Sequence, residues 1–302
     1  MTFPLSVSPH VADALASGTP VVALESIIIS HGLPRPDNLE AARRFEQLLV
    51  DDDVVPATIA VLDGELRAGL TDDELQRIAT EDLSKLSMRD LPVALARGGS
   101  GATTVAATSF IADHAGIRVF ATGGLGGVHR GSEHSHDESA DLKVLSEVPI
   151  TVVSAGVKSI LDIAATLERM ESLGIIVLGY GTADFPSFWL RSSGHPLDWS
   201  VPDAAAVAAV MESREELEVC SAIVVANPLP RDEQLDPATH DHVLEEALRR
   251  AEEKGIVGKD VTPFLLQSIV ELTGGESLEV NLRIAENNIR LAAEIATAWS
   301  QL

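Results

Sequence analysis

Two charged side chains interrupt apolar segments of the sequence, and both are of types that carry chemistry. Lys158 lies in the segment 154–161, between a predicted buried strand and an amphipathic helix. A partly desolvated amine there can act as a nucleophile toward a carbonyl carbon, or its ammonium group can reach solvent along the apolar stem. Glu25 ends or crosses the apolar stretch 21–29. Its carboxyl could be a proton donor kept protonated by apolar surroundings, or a structural carboxylate paired with a cation.

A glycine-dense run follows a predicted strand at 118–121. The run, residues 123–127, has four glycines in five positions, and Thr122, His129 and Arg130 flank it. Backbone amides of glycine loops approach anions closely, and open α/β sheets bind ligands at the carboxyl ends of their strands. The run therefore predicts an anion site, with a simple tight turn as the alternative. It is not a dinucleotide fingerprint, because His129 stands where the third glycine would fall.

Two further loops contain groups that could bind a phosphate or a cation. The loop 98–105 precedes a predicted helix, so it predicts either a phosphate at the helix N-terminus or a hydroxyl cap on the helix. Residues 133–141 concentrate carboxylates, histidines and hydroxyls. These donors suit Mg²⁺ or Mn²⁺, but their spacing matches no dedicated metal motif, and a solvated acidic loop explains them equally well. Together with Glu25 and Lys158 at strand ends, the loops indicate a lysine-imine site for a sugar phosphate.

Short apolar strands alternate with amphipathic helices along the chain, and these elements must position the loops. The segment 150–178 has the pattern strand, helix, strand, a βαβ unit that favours a parallel sheet with right-handed crossovers. We predict an α/β fold with α/β/α layers, a largely parallel central sheet and a mostly helical C-terminal region, formed by residues 1–302 as a single compact domain. The predicted strands lie at 21–24, 57–62, 91–95, 118–121, 150–153, 175–178 and 223–225, and the main predicted helices at 38–50, 102–114, 160–170, 240–254, 263–272 and 278–299.

Composition restricts the classes of function. The 302 residues are 45% hydrophobic and 23% charged, as is typical of a globular protein. The formal net charge of -24 repels nucleic-acid backbones and anionic membranes. A single cysteine, Cys220, excludes a disulfide framework and a zinc site of several thiolates. Because the N-terminus lacks the pattern of a signal peptide, we expect a cytoplasmic protein. Because of the negative charge, we expect no nucleic-acid partner and no membrane partner.

The sequence resembles the pseudouridine-5'-phosphate glycosidases over nearly its whole length. The most specific motifs are the Gly-Gly-Val-His-Arg run at 126–130 and the lysine segment 155–162. The other matching segments are 23–34, 56–60, 101–105, 122–125, 137–142, 225–228, 262–265 and 272–275, with Asn288 at the end. The reaction of this family is the reversible cleavage of the C–C glycosidic bond of pseudouridine 5'-phosphate to uracil and ribose 5-phosphate. The resemblance therefore implies an enzyme with these small-molecule substrates.

The resemblance also implies roles for individual residues. Lys158 aligns with the nucleophile that forms an imine at C1 of the ring-opened ribose, and Glu25 with the proton donor. Asp137 aligns with the ligand of one Mn²⁺ ion, whose place another divalent cation could take. The implied substrate-binding positions are Lys85, Val105, Ser139 and Asp141, to which the glycine run and the neighbouring motifs add Thr122, His129, Arg130 and Asn281. The resemblance further implies a homotrimer.

Imine chemistry suits a C–C glycosidic bond, because that bond has no heteroatom leaving group to protonate and an iminium ion provides an electron sink for its cleavage. The chain departs from the family pattern at Ile27, at 98–100, and at His136 and Glu138, which could alter phosphate affinity or metal choice. Two alternatives stay open. One is an imine-forming aldolase or lyase that acts on another sugar phosphate, and the other is a non-catalytic sugar-phosphate-binding protein.

Overall fold

In the computed structural model, which describes residues 4–258 and 261–302, eleven strands form one sheet. The strands are β1 (Leu5–Val7), β2 (Val21–Glu25), β3 (Val55–Leu62), β4 (Glu65–Ala68), β5 (Ser84–Leu86), β6 (Gly101–Thr103), β7 (Val119–Ala121), β8 (Thr151–Ser154), β9 (Ile176–Tyr180), β10 (Ser200–Val201) and β11 (Ile223–Ala226). Their order is β1-β4-β3-β2-β7-β8-β11-β9-β10, with β6 paired to β3 and β5 paired to β6. Among the described strands, β3 is antiparallel to β4 and β6, and the other pairs are parallel. The predicted largely parallel sheet is confirmed.

Twelve α-helices of the described residues surround the sheet. They are α1 (Pro9–Ser17), α2 (Asp37–Asp51), α3 (Asp72–Thr80), α4 (Leu91–Ala96), α5 (Val105–Ala115), α6 (Ser132–Ser135), α7 (Ala140–Leu145), α8 (Ile163–Ser172), α9 (Ala204–Glu216), α10 (Pro237–Glu253), α11 (Val261–Leu272) and α12 (Glu276–Trp299). The last three confirm the helical C-terminal region. Over the residues that the structure describes, no helix combines the length and apolar character needed to cross a membrane.

The central strands alternate their side chains between two faces, and helices cover both faces. Phe120 and Val152 belong to one apolar core, to which α5, α10 and α11 contribute. Their neighbours Val119 and Val153 belong to a second core, built with α2, α9 and α12. A period of two residues is what a strand with both faces buried requires. These two cores confirm the α/β/α layering.

The strand predicted at 91–95 is wrong, because this segment forms α4. Its Pro92 occupies the first turn, where the missing N–H removes no helical hydrogen bond. The buried residues of the helix are Leu91 and Ala94, which lie three positions apart and hence on one helical face. A short apolar run does not by itself distinguish a strand from a buried helical turn.

Two helices begin later than predicted, and one of these differences concerns the site. Strand β6 takes the first residues of the helix predicted at 102–114, so α5 begins at Val105. Helix α8 begins after Asp162, whose carboxylate accepts the N–H of Ala165 at 3.0 Å. Residues 155–161 therefore lie outside the helix. The βαβ unit is parallel as predicted, but β11 is inserted between β8 and β9.

Candidate active site

Three neighbouring parallel strands end at one edge of the sheet, and each leads to a candidate residue. β7 pairs with β2 on one side and with β8 on the other. Glu25 is the last residue of β2, Thr122 follows β7 directly, and Lys158 lies shortly after β8. Parallel strands end on the same side of a sheet, which is where open α/β folds bind ligands. The fold thus brings together residues from three separate parts of the chain.

Glu25 is buried, and its two carboxyl oxygens have different surroundings. The residue is 7% exposed. Thr122 donates from Oγ1 to Oε1 at 2.9 Å, whereas Oε2 has no hydrogen-bond partner among the described residues. Apolar side chains such as Phe45 and Ile289 line a cavity of about 20 Å³ beside the carboxyl. Burial raises the pKa of Glu25 to about 7, although the charge of Lys158 and the Thr122 hydrogen bond both lower it. The predicted proton donor is therefore partly protonated at neutral pH.

Lys158 is half-buried and anchored to the glycine run. Its Nζ donates to the carbonyl oxygen of Gly124 at 2.6 Å, and its backbone N–H donates to the carbonyl of Leu125 at 3.1 Å. The positive charge of Lys158 lowers the pKa of both Glu25 and Lys85, which requires the amine to lie near both groups. The amine is thus held inside the cluster by a backbone carbonyl and does not extend away from the protein.

A second amine belongs to the same cluster. Lys85 lies on β5 and keeps contact with solvent, yet surrounding protein atoms desolvate its ammonium group. This desolvation is the main cause that lowers the pKa of Lys85; the charge of Lys158 lowers it further, and Asp141 and Glu25 oppose the change. Two amines and two carboxyl groups therefore share one electrostatic environment.

Asp141 connects the glycine run to the start of helix α5. Its Oδ1 accepts the N–H of Ala106 at 3.0 Å, and its Oδ2 accepts the N–H of Gly126 at 2.9 Å. Thr104 is the N-cap residue of α5, but its hydroxyl makes no cap, and its buried Oγ1 has no partner among the described residues. The hydroxyl cap considered for this loop is therefore wrong, because the carboxylate of Asp141 accepts an N–H of the first turn instead. Val105, the first residue of α5, is buried beside this junction.

Ser139 and Arg130 both hold the backbone of this region. Ser139 accepts the N–H of Asp141 at 3.2 Å through Oγ, and its own N–H donates to the carbonyl of Gly127 at 2.9 Å. Arg130 donates to the carbonyls of residues 159 and 160, both at 3.2 Å. Its guanidinium thus fixes the segment that follows Lys158, a role that its sequence position did not indicate.

His129 and Asp137 face each other at the edge of the cluster. Nδ1 of His129 lies 3.9 Å from Oδ2 of Asp137, and the backbone N–H of His129 donates to the carbonyl of Asp137 at 3.0 Å. Burial lowers the pKa of His129, as does the charge of Lys85, while Asp137 raises it. In the described part of the chain, no three His, Cys, Asp or Glu side chains are grouped to hold a metal ion. A hard cation bound through Asp137 would take its other ligands mainly from water or a substrate.

Asn281, on α12, is oriented by an aromatic neighbour. Nε1 of Trp189 donates to Oδ1 of Asn281 at 2.5 Å and to the carbonyl of Ser277 at 3.2 Å. Because the amide oxygen accepts from the indole, the amide NH₂ group remains as the donor of Asn281. Its described contacts are with Trp189, and not with Glu25 or Lys158.

Sequence reasoning gave no role in the site to two residues that shape it, Asn288 and Phe188. Asn288 is fully buried; it donates to the carbonyl of Thr122 at 2.8 Å and accepts from Asn227 at 3.0 Å. Its position on the apolar face of α12 was a signal that could have found it, because a buried amide needs partners. Phe188 has a positive φ of 59°, and its ring closely covers Gly124. No sequence pattern indicates that contact.

The glycine run contains three positions where a side chain has no room, Gly124, Gly126 and Gly127, and Gly126 is the one that lies against Asp141. A Cβ on Gly126 would clash with the side chain of Ser139 and lie 2.7 Å from Oδ2 of Asp141, whereas a Cβ on Gly123 would meet no heavy atom closer than 3.6 Å. We expect Gly126→Ala to lower the free energy of unfolding by about 2 to 3 kcal/mol, because it displaces Ser139 and the Asp141 carboxylate that caps α5. The matched control Gly123→Ala should change it by less than about 1 kcal/mol. Urea unfolding of both variants measures the difference, and equal losses would contradict the close packing of Gly126 against Ser139 and Asp141.

Comparison with known proteins places the chain in a family. A family model described as indigoidine synthase A like protein matches residues 10–298. A pseudouridine-5'-phosphate glycosidase of Frankia alni is 59% identical over 97% of this chain and 82% of its own length. The corresponding protein of Saccharopolyspora erythraea is 56% identical over 97% of each chain.

Two solved structures share the fold over almost their whole length. The prealnumycin C-glycosynthase AlnA in complex with ribulose 5-phosphate is 37% identical, with a TM-score of 0.92 over 100% of this chain and 98% of its own. An indigoidine synthase A (IdgA)-like protein from Thermotoga maritima is 36% identical, with a TM-score of 0.90 over 99% and 97%. The chain belongs to the indigoidine synthase A-like family, which includes the pseudouridine-5'-phosphate glycosidases.

Proposed function

We propose that this protein is a pseudouridine-5'-phosphate glycosidase, which reversibly cleaves pseudouridine 5'-phosphate to uracil and ribose 5-phosphate. The observation that carries the proposal is the meeting of Lys158 with Glu25 at the carboxyl edge of the sheet, where burial raises the pKa of Glu25 to about 7. Relatives up to 59% identical have this name. A structural neighbour, AlnA, binds a pentose phosphate, since its structure was solved in complex with ribulose 5-phosphate.

The roles of the two residues follow from the bond to be broken. The amine of Lys158 bonds to C1 of the sugar as the ring opens. The C–C bond then breaks, its electron pair stays on the pyrimidine carbon, and the lone pair of the amine nitrogen forms the iminium ion. Glu25 supplies the proton that the pyrimidine carbon takes up. Water hydrolyses the imine, which releases the aldehyde of ribose 5-phosphate and restores the amine.

The substrate phosphate needs local positive groups on a chain whose net charge is -24. Lys85 provides an ammonium group. At the start of α5, which begins at Val105, the N–H of Ala106 already donates to Asp141, and the other N–H groups of the first turn have no partner within the helix and favour an anion. We assign the remaining predicted binding residues to the same pocket: Ser139, Thr122, His129, Arg130 and Asn281 as donors or supports, and Asp141 as the group that aligns α5 with the glycine run.

We assign the metal ligand to Asp137. Its carboxylate is half-buried, and carboxylate oxygen is a donor that Mn²⁺ accepts readily. When bound, the ion would supply positive charge next to the substrate. His129, 3.9 Å from this carboxylate, restricts how the carboxylate can turn.

Changing the metal ligand should change the requirement for the ion. We expect Asp137→Asn to raise the Mn²⁺ concentration for half-maximal activity by about 10- to 100-fold, because one anionic ligand is lost. Glu138→Gln is the matched control, since this neighbouring carboxylate pairs with Arg169 at 3.0 Å. Titration of metal-stripped protein with Mn²⁺ gives both values. An unchanged Mn²⁺ requirement in Asp137→Asn would remove this residue from the metal site.

The synthetic direction tests the proposed function most simply. Incubation of the protein with uracil and ribose 5-phosphate should yield pseudouridine 5'-phosphate, identified by its acid-stable C–C linkage and its mass. No C-linked nucleotide, together with aldol cleavage of a different sugar phosphate, would favour the aldolase or lyase.

We also propose a homotrimer, for which the family resemblance is the support. Light scattering in solution should give three times the mass of the chain, and the mass of a monomer or dimer would contradict it.

A further inference from the structure

A buried histidine lies directly behind the proposed nucleophile and has no part in the chemistry described above. His240, in the first turn of α10, is 3% exposed. Its Nε2 lies 2.8 Å from Oγ of Ser159, the residue after Lys158, and its Nδ1 lies 3.0 Å from Oδ1 of Asp241. The carboxylate of Asp241 favours a proton on Nδ1, which leaves Nε2 to accept the Ser159 hydroxyl.

The Asp–His–Ser order of this group does not make a second active site. A hydrolytic serine must reach a substrate, but Ser159 is only 2% exposed. Its hydroxyl points to His240, and its carbonyl accepts a hydrogen bond from Arg130 at 3.2 Å. Ser159 is thus held on both sides. Because Lys158 is the preceding residue, the same contacts also restrict its backbone.

The restraint matters because the segment that carries Lys158 lacks regular structure. Residues 155–161 lie between β8 and α8 and belong to neither. Backbone hydrogen bonds to the glycine run hold Ala155 and Lys158. Directly after Lys158, the side-chain contacts of His240 and Arg130 with Ser159 add to them. The bond from Ser159 to His240 connects this irregular segment to α10, a long helix packed in the core.

His240 also contacts the residue that orients Asn281. The rings of His240 and Trp189 meet edge to face, with 6.2 Å between their centroids. Trp189 is fully buried, and its Nε1 donates to Asn281. Because buried side chains in such contact cannot shift independently, the position of His240 is itself well determined.

We propose that His240 is a positioning residue for the reaction, which acts through Ser159 to hold the backbone of Lys158 so that the amine meets C1 of the sugar. This inference rests on the proposed function. Misplacement of a reacting group by about 1 Å can cost about 100-fold in rate without a comparable loss of binding. His240 should therefore affect kcat much more than KM.

Four variants and one control test the proposal. We expect His240→Ala to lower kcat for pseudouridine 5'-phosphate cleavage by about 10- to 100-fold and to change KM by less than about twofold. Ser159→Ala should lower kcat by the same factor. The double variant should lower kcat no further than either single variant, because each substitution removes the same contact between Ser159 and His240. His240→Gln keeps an acceptor for the hydroxyl and should recover most of kcat. His242→Ala, an exposed histidine on the same helix, should match the wild type.

The outcomes separate this inference from the function on which it rests. Multiplicative losses in the double variant, equal changes in KM and kcat, or no recovery in His240→Gln would overturn the positioning role. Should His240→Ala fail to fold, Ser159→Ala and His240→Gln still decide. Borohydride trapping of wild-type protein with ribose 5-phosphate is run in parallel. Absence of an adduct in the wild type overturns the proposed function and this inference with it, whereas a normal adduct with unchanged kcat in the variants overturns the inference alone.

Discussion

Replacing Lys158 with alanine should lower the rate of pseudouridine 5'-phosphate cleavage by on the order of 10³-fold or more, because no other group would form the bond to C1. The fold should persist. The side chain is half-buried at a strand end, and its one described hydrogen bond is to the carbonyl of Gly124. Initial rates of uracil release, with circular dichroism melting of the same samples, measure both effects.

The informative companion is Lys158→Arg. Arginine keeps the positive charge and a donor for the carbonyl of Gly124, but it does not form an imine with an aldehyde. We therefore expect it to be as inactive as the alanine variant. Lys143→Ala, at an exposed lysine on α7, is the control and should retain full activity. Substantial activity in Lys158→Arg would mean that the lysine acts only through its charge, which contradicts the covalent mechanism.

Replacing Glu25 with glutamine should lower the rate of cleavage by about 100-fold or more and remove one limb of its pH profile. Burial raises the pKa of Glu25 to about 7, and the donor acts in its protonated form. In the wild type, kcat/KM for cleavage should therefore fall as the pH rises through about 7, and Glu25→Gln should lack this fall. Rates from pH 5.5 to 9 give the profile. The control is Glu46→Gln, since burial also raises the pKa of Glu46 but its partner is Thr58.

The same carboxyl predicts a change in stability that requires no substrate. An acid whose pKa is higher in the folded state destabilises that state as the pH rises. Below pH 4.5, the ordinary pKa of the group, the free energy of unfolding is not lowered. The loss is complete above about pH 7. The glutamine of Glu25→Gln cannot ionise. Relative to the wild type, the free energy of unfolding of this variant should therefore rise by up to about 3 kcal/mol between pH 4.5 and pH 8. Unfolding in urea at both pH values measures this gain. The same difference between the two proteins at both pH values would show that Glu25 is not held in a desolvating environment.

The sequence predicted the strand ends that carry the chemistry, because strong local patterns mark them. The charges of Glu25 and Lys158 interrupt apolar segments, and the glycine run follows a strand that was also predicted. The segment 91–95 was predicted wrongly, since a short apolar run suits a strand and a buried helical turn alike. Where an apolar run fits both a strand and a helix, the tertiary environment determines which of the two forms.

The supporting contacts could not be predicted, because they join residues far apart in the sequence. Asp141 caps α5 across 35 positions, and His240 contacts Ser159 across 81. Neither residue belongs to a local pattern that points to its partner. The same holds for Phe188, whose positive φ and contact with Gly124 exist only in the folded chain. The sequence thus pointed to Glu25 and Lys158, which the fold brings together, but not to the contacts that hold this region in place.

Reductive trapping identifies the amine that forms the imine, because the cluster contains two amines and only Lys158 is assigned as the nucleophile. The protein is incubated with ribose 5-phosphate and sodium borohydride, digested, and mapped by mass spectrometry. We expect one reduced pentose-phosphate adduct per chain, on the peptide that contains Lys158, and none on the peptide that contains Lys85. An adduct on Lys85, or no adduct in a protein that turns over pseudouridine 5'-phosphate, would contradict the account.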